Sequence, residues 1–311
     1  MSSADDIIVA EARMMCCASC GKSELDDIKL MDCDGCKSVR YCSDACKEDH
    51  QSLHETKCKE YQAAYQAVEL RDEILFRQPE STHRGDCPLC CVPMPIEDLK
   101  TSSLSCCSKL ICKGCGVAEM ARQRRENVRV VKCPFCRHPI FKSSVETHRK
   151  LMKRAAVNDP KALRLVGLKH FEKGEYGVAF EYLTKAAEWG DADAHFNLSI
   201  MYKKGLGVQT DEKKEIYHLE EAAIAGHPPA RLNLGVYEWN NGRFDRAVKH
   251  HTIGANLGLD RSIQELKECY KKEYVSKEDF AAALRAYHAA AKAMKSPQRE
   301  AAERATFHPH A

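Results

Sequence analysis

Cysteine and histidine residues form closely spaced pairs in the N-terminal half of the chain. The sequence of 311 residues holds 18 cysteines and 14 histidines, and every cysteine except Cys269 lies before residue 137. Several cysteines are two residues apart, a spacing that lets both thiolates approach one tetrahedral ion. A disulfide framework is the alternative, but disulfides are rare inside cells, where clustered cysteines are more often metal ligands. The pattern therefore predicts zinc sites.

The first group of candidate ligands lies within residues 16–58. Its members are Cys17, Cys20, Cys33, Cys36, Cys42, Cys46, His54 and Cys58. These donors are enough for two closed four-ligand sites, which fold a chain but leave no open position for catalysis. The spacing of Cys42 and Cys46 suits a helix, because residues i and i+4 share a face. Ser43 is the expected N-cap of this helix.

This run resembles a MYND zinc finger, including the "YC" pair at 41–42 and the gap between Cys46 and His54. The resemblance implies a cross-braced pattern, in which Cys17, Cys20, Cys42 and Cys46 hold one zinc ion and Cys33, Cys36, His54 and Cys58 hold the other. Cys16 is then spare, unless the register shifts by one residue, and His50 is an alternative ligand. Fingers of this family bind short proline-containing peptide motifs, so the resemblance also implies a protein partner.

A second group of cysteines lies within residues 87–139. Its members are Cys87, Cys90, Cys106, Cys107, Cys112, Cys115, Cys133 and Cys136. The frame "CPLC … CPFCR" resembles a RING finger. Lys109 stands where that family usually has a histidine ligand, and a protonated amine has no lone pair for a metal. Two adjacent cysteines precede it, and they make the motif similar to the all-cysteine variants of the RING family.

The RING resemblance implies two further zinc ions. Cys87, Cys90, Cys112 and Cys115 hold one of them, and Cys106, Cys107, Cys133 and Cys136 hold the other. Adjacent residues rarely chelate one ion without local strain, so the alternative is that only Cys107 binds and the second site is incomplete. Cys91 is a spare. The sequence thus predicts four zinc ions, two in each finger.

RING fingers of ubiquitin ligases dock a ubiquitin-conjugating enzyme on a shallow apolar groove. The matching positions here are Leu89, Pro134, Phe135 and Arg137, together with Val117 or Met120 on the helix after the third cysteine pair. Arg137 stands where such ligases often carry an arginine that contacts ubiquitin. The alternative is that the apolar residues only fill a small core. A ligase of this kind supplies no catalytic nucleophile, since it orients a thioester for attack.

From about residue 160 the sequence repeats itself. The segments "AAEWGDADA", "AAIAGHPPA" and "GANLGLDRS" align, and they place Gly190, Gly226 and Gly258 at the C-terminal stops of helices. Each unit is expected to form two helices, and stacked helical pairs form a solenoid. The second unit resembles a SEL-one-like repeat, a relative of the tetratricopeptide repeat. A degenerate fourth unit is expected to cap the array.

These patterns divide the chain into a series of segments. They are a disordered N-terminus (1–15), a MYND-type finger (16–58), a helical linker (59–86), a RING-like finger (87–139), a helical linker (140–160), SEL-one-like repeats (161–295) and a flexible tail (296–311). Within the RING-like finger, "VRVV" at 128–131 predicts a short strand. The fold class is mainly α, with two small cross-braced zinc-binding modules followed by an α-helical repeat solenoid. The combination resembles multi-domain proteins of diatoms and other algae.

Composition narrows the classes of function. No run approaches the roughly 18 apolar residues of a membrane span, and the N-terminus lacks the basic and apolar regions of a signal peptide. The protein is therefore expected inside the cell, in the cytoplasm, the nucleus or both. Residues 87–158 are basic, but they are poor in the aromatic residues that stack on bases, which argues against nucleic acid as a partner.

Two hypotheses remain. The first is a RING-type ubiquitin ligase that uses its MYND finger and helical repeats to recruit substrates. The second is a non-enzymatic adaptor or scaffold with three protein-binding modules. Both hypotheses need the same folds and protein partners, and they differ in whether residues 87–139 bind a conjugating enzyme.

Overall fold

The computed structural model describes residues 17–20, 22, 29–37, 39–140 and 143–307. Twelve α-helices and two short antiparallel hairpins make up the regular structure of this part of the chain. None of its helices is long and apolar enough to cross a membrane. The chain divides into two compact units between Leu75 and Phe76. The predicted disordered N-terminus at 1–15 and the spare Cys16 lie outside the described residues.

The first unit contains a small hairpin and one long helix. Strand β1 (Met31–Asp32) pairs with strand β2 (Arg40–Tyr41), and α1 runs from Asp44 to Leu75. The Ser43 hydroxyl accepts a hydrogen bond from the Cys46 amide at 3.3 Å, which confirms the predicted N-cap. Helix α1 continues without a break into the predicted helical linker, whereas residues 76–86 are not helical.

The RING-like module opens the second unit. A short 3-10 helix (Asp98–Lys100) leads into β3 (Thr101–Leu104), which pairs with β4 (Lys109–Cys112). Helix α2 (Lys113–Arg125) follows β4 directly, and the thiol at its N-cap, Cys112, accepts a hydrogen bond from the Cys115 amide at 3.4 Å.

The predicted strand at 128–131 is wrong. After α2 the chain turns at Asn127, which has a φ of 55°, and no strand follows. The buried Gln123 side chain donates to the Lys132 carbonyl and accepts from the Lys132 amide, both at 2.8 Å. The Val128 amide bonds back to the helix, at 3.0 Å from the Gln123 carbonyl, and the pairing near Lys132 is a single bridge to Pro139 rather than a strand.

The rest of the second unit is a helical solenoid. After α3 (Ser144–Ala155), its helices are α4 (Pro160–Glu172), α5 (Tyr176–Glu188), α6 (Ala192–Lys204), α7 (Glu212–Ile224), α8 (Pro228–Asn240), α9 (Phe244–Asn256), α10 (Asp260–Lys271) and α11 (Lys277–Ala293). Each helix packs against the next in chain order. Stacking between sequence neighbours is the defining feature of a solenoid. The mainly helical fold class predicted from the sequence is confirmed.

Local sequence signals set the helix ends of the solenoid. The carboxylates of Asp191 and Asp211 cap α6 and α7 by accepting from amides of the first turn. Gly190, Gly226 and Gly258 follow α5, α7 and α9 with φ values of 78°, 83° and 89°. This left-handed conformation favours glycine, and it confirms the predicted helix stops.

Residues Pro297–Phe307 form helix α12 within the stretch that the sequence predicts to be a flexible tail. Ser296 accepts a hydrogen bond from the Arg299 amide at 3.3 Å, so it caps the first turn. Helix α12 packs against α2 of the RING-like module, and Ala302 at the contact is 3% exposed. Residues 308–311 lie outside the described residues. Residues 297–307 of the predicted tail therefore form a packed helix.

Candidate metal centres

The structure gathers the predicted ligands into four groups of four. The groups are Cys17, Cys20, Cys42 and Cys46; Cys33, Cys36, His54 and Cys58; Cys87, Cys90, Cys112 and Cys115; and Cys106, Cys107, Cys133 and Cys136. Within each group, one donor atom per residue lies within 4.8 Å of all the others. These are the same sets that the MYND and RING resemblances imply. We refer to them as groups 1 to 4 in this order.

The distances between donor atoms fit a tetrahedral zinc ion. A Zn–S bond of about 2.3 Å places two tetrahedral sulfurs about 3.8 Å apart. The measured Sγ–Sγ distances are 3.5 Å for Cys20 and Cys42, 3.8 Å for Cys33 and Cys58, 4.0 Å for Cys90 and Cys112, and 3.7 Å for Cys107 and Cys133. A disulfide needs about 2.05 Å, and no disulfide joins the described cysteines. The thiols are therefore spaced for a shared cation.

His54 belongs to group 2, whereas the alternative ligand His50 does not. The His54 Nε2 lies 3.3 Å from Cys36 Sγ, and the residue is 6% exposed. Burial lowers the pKa of His54, with help from His50 and Lys57, and this favours the neutral imidazole that a metal requires. His50 stacks on His54, and its Nδ1 lies 3.1 Å from the Tyr41 hydroxyl. His50 therefore helps to hold the imidazole ring of His54 in place by stacking against it.

Three of the cysteine pairs share one type of turn, in which the residue after the second cysteine adopts a left-handed backbone. These residues are Lys37, Cys91 and Arg137, with φ values of 54°, 52° and 59°. Their amides donate to the carbonyl of the first cysteine of the pair at 2.9, 2.8 and 3.1 Å. The turn wraps backbone amides around the sulfurs. It also explains why Cys91 is exposed and lies in none of the four groups.

Cys106 and Cys107 both lie in group 4 because they sit in the tight loop between β3 and β4. The amides of Cys107 and Ser108 both donate to the Leu104 carbonyl, at 3.1 and 2.8 Å. Ser108 has a φ of 53°, so the loop closes through a left-handed residue. Backbone strain therefore falls at Ser108, next to the adjacent pair, and group 4 has four donors rather than three.

Hydrogen bonds and neighbouring thiols shift cysteine pKa values in opposite directions within a group. Burial raises the pKa of Cys17, but backbone amides of Cys20, Cys42 and Ser19 outweigh it and lower the pKa to about 6. Hydrogen bonds with Cys20 and Cys46 raise the pKa of Cys42 to about 12. Once one thiol of a group is deprotonated, its negative charge makes the next thiol of that group harder to deprotonate. A divalent cation relieves this repulsion, because it deprotonates the thiols that coordinate it.

A fifth set of nearby donors, His83, Asp193 and His227, forms a hydrogen-bond network that does not suit a cation. The His227 Nδ1 accepts from an amide in the first turn of α8, so its Nε2 carries the proton and faces Asp193 Oδ1 at 3.4 Å. A protonated ring nitrogen has no lone pair for a metal. Arg84 and Arg164 also approach the Asp193 carboxylate, at 3.4 and 3.2 Å. The positive charges of Arg84 and Arg164 already balance the Asp193 carboxylate, so this set of residues does not need a metal cation.

The residues predicted to contact a conjugating enzyme or ubiquitin differ in exposure. Leu89, Met120 and Arg137 are exposed, whereas Val117, Pro134 and Phe135 are half-buried. Phe135 packs against the core of the module, and Lys109 Nζ lies 5.2 Å from the centre of its ring. Phe135 is therefore mainly a core residue, and Leu89 and Met120 supply the exposed apolar surface near group 3.

Two side chains near group 3 were missed by the sequence analysis. The Gln298 Oε1 lies 3.8 Å from Cys115 Sγ, and the Arg299 Nη2 lies 3.8 Å from Cys90 Sγ. Both belong to α12, within the predicted flexible tail. The contacts join residues about 200 positions apart, and no local spacing in the sequence points to them.

Parts of the chain are similar to known proteins. A mouse protein, DAP3-binding cell death enhancer 1, is 26% identical over 175 residues, which cover 43% of this chain and 34% of that protein. The rat protein of the same name is 24% identical over 179 residues, which cover 45% and 35%. The chain thus spans about a third of the length of these curated relatives.

Two solved structures resemble the helical part. A Sel1 repeat protein from Oxalobacter formigenes is 25% identical with a TM-score of 0.41, covering 50% of this chain and 67% of its own. A protective antigen of uropathogenic Escherichia coli with an SLR fold is 23% identical with a TM-score of 0.39, covering 54% and 37%. Residues 17–58 match the family model of the MYND finger. This match confirms the first resemblance, and groups 1 and 2 are therefore the candidate zinc sites of a MYND finger.

Proposed function

We propose that the protein is a zinc-binding adaptor that joins protein partners through its MYND finger, its RING-like module and its helical repeats. The observation that carries the proposal is the closed set of donors in each of the four groups. A closed four-ligand site stabilises a fold without leaving a coordination position for a substrate. Each module then presents a rigid surface on which a partner docks.

The proposal includes four zinc ions, two in each finger. Its support is the agreement between the sulfur spacings and tetrahedral zinc, since the described cysteines form no disulfide. Structural zinc contributes on the order of 10 kcal/mol to the folding of small fingers, so we expect a strong chelator to unfold residues 17–139. The repeats should keep their helices, because their core is built from apolar residues such as Leu183 and Leu198. Elemental analysis and far-ultraviolet circular dichroism measure both effects.

Protein partners are proposed for two reasons. MYND fingers bind short proline-containing peptides, and residues 17–58 match that family. The repeats offer a long scaffold of stacked helices, a surface type that suits extended partners. The mouse and rat relatives are named for binding DAP3, and from that name we extend to this chain the expectation of a protein partner. Free thiols suit the reducing cytoplasm or nucleus, where we place the protein.

A peptide array tests the adaptor proposal. Full-length protein loaded with zinc is applied to proline-containing peptides, beside the Cys36→Ser variant, which lacks one donor of group 2. We expect a subset of peptides that bind the wild type and not the variant. Binding by neither protein, or equal binding by both, would overturn the proposed role of the MYND finger.

A RING-type ubiquitin ligase is the second candidate function. It is favoured by the exposed Leu89 and Met120 beside group 3 and by the exposed Arg137 after the last cysteine pair. The test is an autoubiquitination assay of the full-length protein with a broad panel of conjugating enzymes. Leu89→Ala should weaken docking by roughly 2 kcal/mol, since it removes an apolar side chain that the docked enzyme would bury.

The control variant for the ligase assay is Leu99→Ala. Leu99 is also an apolar residue of the RING-like module, and it is 88% exposed. We expect ubiquitin chains with the wild type and Leu99→Ala, and fewer with Leu89→Ala at unchanged zinc content. A zinc-loaded wild type that discharges no conjugating enzyme would leave the adaptor as the function.

A further inference from the structure

The C-terminal helix α12 packs closely on the RING-like module. A Cβ atom at Gly114 would lie 2.7 Å from the Arg299 backbone nitrogen, so the backbones of α2 and α12 touch where a side chain would not fit. Glu303 also forms an ion pair with Lys100, 3.2 Å apart. These contacts fix the start of α12 beside group 3, because Gly114 lies between two of its ligands, Cys112 and Cys115.

The Arg299 side chain reaches into the first turn of the module. The residue is 7% exposed. Its Nη1 donates to the Pro93 carbonyl at 2.7 Å, and its Nη2 donates to the Val92 carbonyl at 3.0 Å. The Val92 carbonyl also accepts from the Cys87 amide at 3.0 Å. The guanidinium group therefore bonds to the same backbone that shapes the turn of Cys87 and Cys90.

The positive charge of Arg299 suits it to stabilise a zinc–thiolate site at group 3. Four thiolates around Zn²⁺ carry a net charge of −2, and a guanidinium group keeps its positive charge under all ordinary conditions. Arg299 Nη2 lies 3.8 Å from Cys90 Sγ, within reach of a charge-assisted hydrogen bond to sulfur. A buried cation beside an anionic site offsets the cost of enclosing that charge.

Gln298 contacts a second sulfur of the same group. Its Oε1 lies 3.8 Å from Cys115 Sγ, a contact that suits a protonated thiol. A zinc-bound Cys115 has no proton to donate. A half-turn of the carboxamide then presents Nε2 to the sulfur, because the two ends of an amide side chain occupy the same space. Gln298 can thus donate to the thiolate without a change in packing.

We propose that α12 forms part of the metal centre at group 3, with Arg299 and Gln298 as positioning residues that hold its thiolates. This inference rests on the zinc proposal above. Outer hydrogen bonds of this kind typically change metal affinity by 10- to 100-fold. The C-terminal helix, which follows the last repeat, therefore controls how firmly the RING-like module retains its zinc.

Zinc release from full-length protein tests this role. Wild type, Arg299→Ala, Arg299→Lys and Arg304→Ala are mixed with a chromogenic zinc chelator, and cysteine accessibility is followed by alkylation and peptide mass spectrometry. Arg304 is the control, because it is an exposed arginine of the same helix. In Arg299→Ala we expect Cys90 and Cys115 to be alkylated about ten-fold faster or more. Arg299→Lys keeps the charge and loses the planar fork, so its rate should be intermediate.

The MYND finger is the internal standard of the experiment. Cys33 and Cys58 of group 2 should react at the wild-type rate in every variant. Cys107 and Cys133 of group 4, which lie in the same unit as Arg299, should do so as well, and this separates a local effect at group 3 from unfolding of the module. Equal alkylation of Cys90 in Arg299→Ala and Arg304→Ala, with four zinc ions in the wild type, would overturn the inference alone. A wild type that holds only two ions would overturn the zinc proposal, and this inference with it.

Discussion

The Asp193 Oδ1 lies 3.1 Å from His83 Nε2, although 110 positions separate the two residues in the sequence. His83 belongs to residues 76–86, which we call the strap, a non-helical segment that lies against the repeats. The His83 amide donates to the Gly226 carbonyl at 3.0 Å, and the Phe76 ring lies 4.8 Å from the His250 ring. The strap therefore fixes the start of the RING-like module to the solenoid.

Replacement of Asp193 by asparagine should loosen the strap. The Asp193 carboxylate is 16% exposed and also faces Arg84 and Arg164. Burial raises its pKa, but hydrogen bonds from His227 and His83, together with the positive charge of Arg164, outweigh burial and hold the pKa far below the usual range. Removing one partner of a fully buried network lowers the free energy of unfolding by about 3–5 kcal/mol. Because Asp193 is partly exposed, we expect a loss of about 2–4 kcal/mol. Urea unfolding measures the loss, and hydrogen exchange at the His83 amide locates it.

Glu188→Gln is the matched control for that change. Glu188 is an exposed acid of the same solenoid, and exposed substitutions usually alter stability by less than about 0.5 kcal/mol. If both variants unfold at the same urea concentration, the Asp193 network does not stabilise the protein.

Two glycines separate the effect of backbone strain from contact with the strap. Gly190 and Gly226 have nearly the same φ, 78° and 83°, but a Cβ at Gly190 meets nothing within 4 Å. A Cβ at Gly226 would lie 2.8 Å from the Ser81 carbonyl oxygen. Each alanine substitution should lower the free energy of unfolding by about 1–2 kcal/mol, because a left-handed backbone is unfavourable for alanine. Gly226→Ala should also displace the strap.

Trypsin digestion distinguishes the two glycine variants. Arg84 in the strap should be cut faster in Gly226→Ala than in Gly190→Ala, because the segment no longer lies flat on the repeats. Identical digestion of the two variants would show that the approach at Gly226 does not hold the strap.

The features that the sequence predicted are those set by neighbours in the chain. The cysteine pairs follow from their spacing, and the helix stops follow from glycines such as Gly190. The assignment of pairs to groups 1 to 4 came from the MYND and RING resemblances. Ser296 followed by Pro297 is also a helix start signal, and it could have identified α12. The contact of Arg299 with Cys90 and that of His83 with Asp193 depend on how the helices pack. No pattern within a short window encodes such contacts.

Cys106→Ser tests whether both adjacent cysteines are ligands. Group 4 would be left with three sulfur donors, so we expect one zinc ion fewer per chain and a lower melting temperature of the RING-like module. Cys91→Ser is the control, because Cys91 is exposed and lies in none of the four groups. Elemental analysis of both proteins gives the answer. Four ions in Cys106→Ser would favour the alternative in which Cys107 alone binds.

Buried histidines in the solenoid should make it sensitive to acid. His250 and His251 are 0% and 2% exposed. Burial, aided by Arg231 and Arg246, lowers the pKa of His250 to about 2, and burial lowers that of His251 to about 4. The unfolded chain binds a proton at each residue below about pH 6.5, and the folded chain does not. The free energy of unfolding therefore falls as the pH drops below 6.5, by about 2 kcal/mol for each histidine at pH 5.

The variant His251→Leu isolates this effect from acid loss of zinc, because both proteins carry the same metal sites. Leucine fills the buried position with an apolar side chain that has no proton to bind. Its free energy of unfolding, measured by urea denaturation with the helical signal, should fall by about 2 kcal/mol less than that of the wild type between pH 7 and pH 5. His288→Gln is the control, since His288 is exposed, and it should follow the wild type. Parallel pH dependences for wild type and His251→Leu would mean that His251 is protonated in the folded state, in spite of its burial.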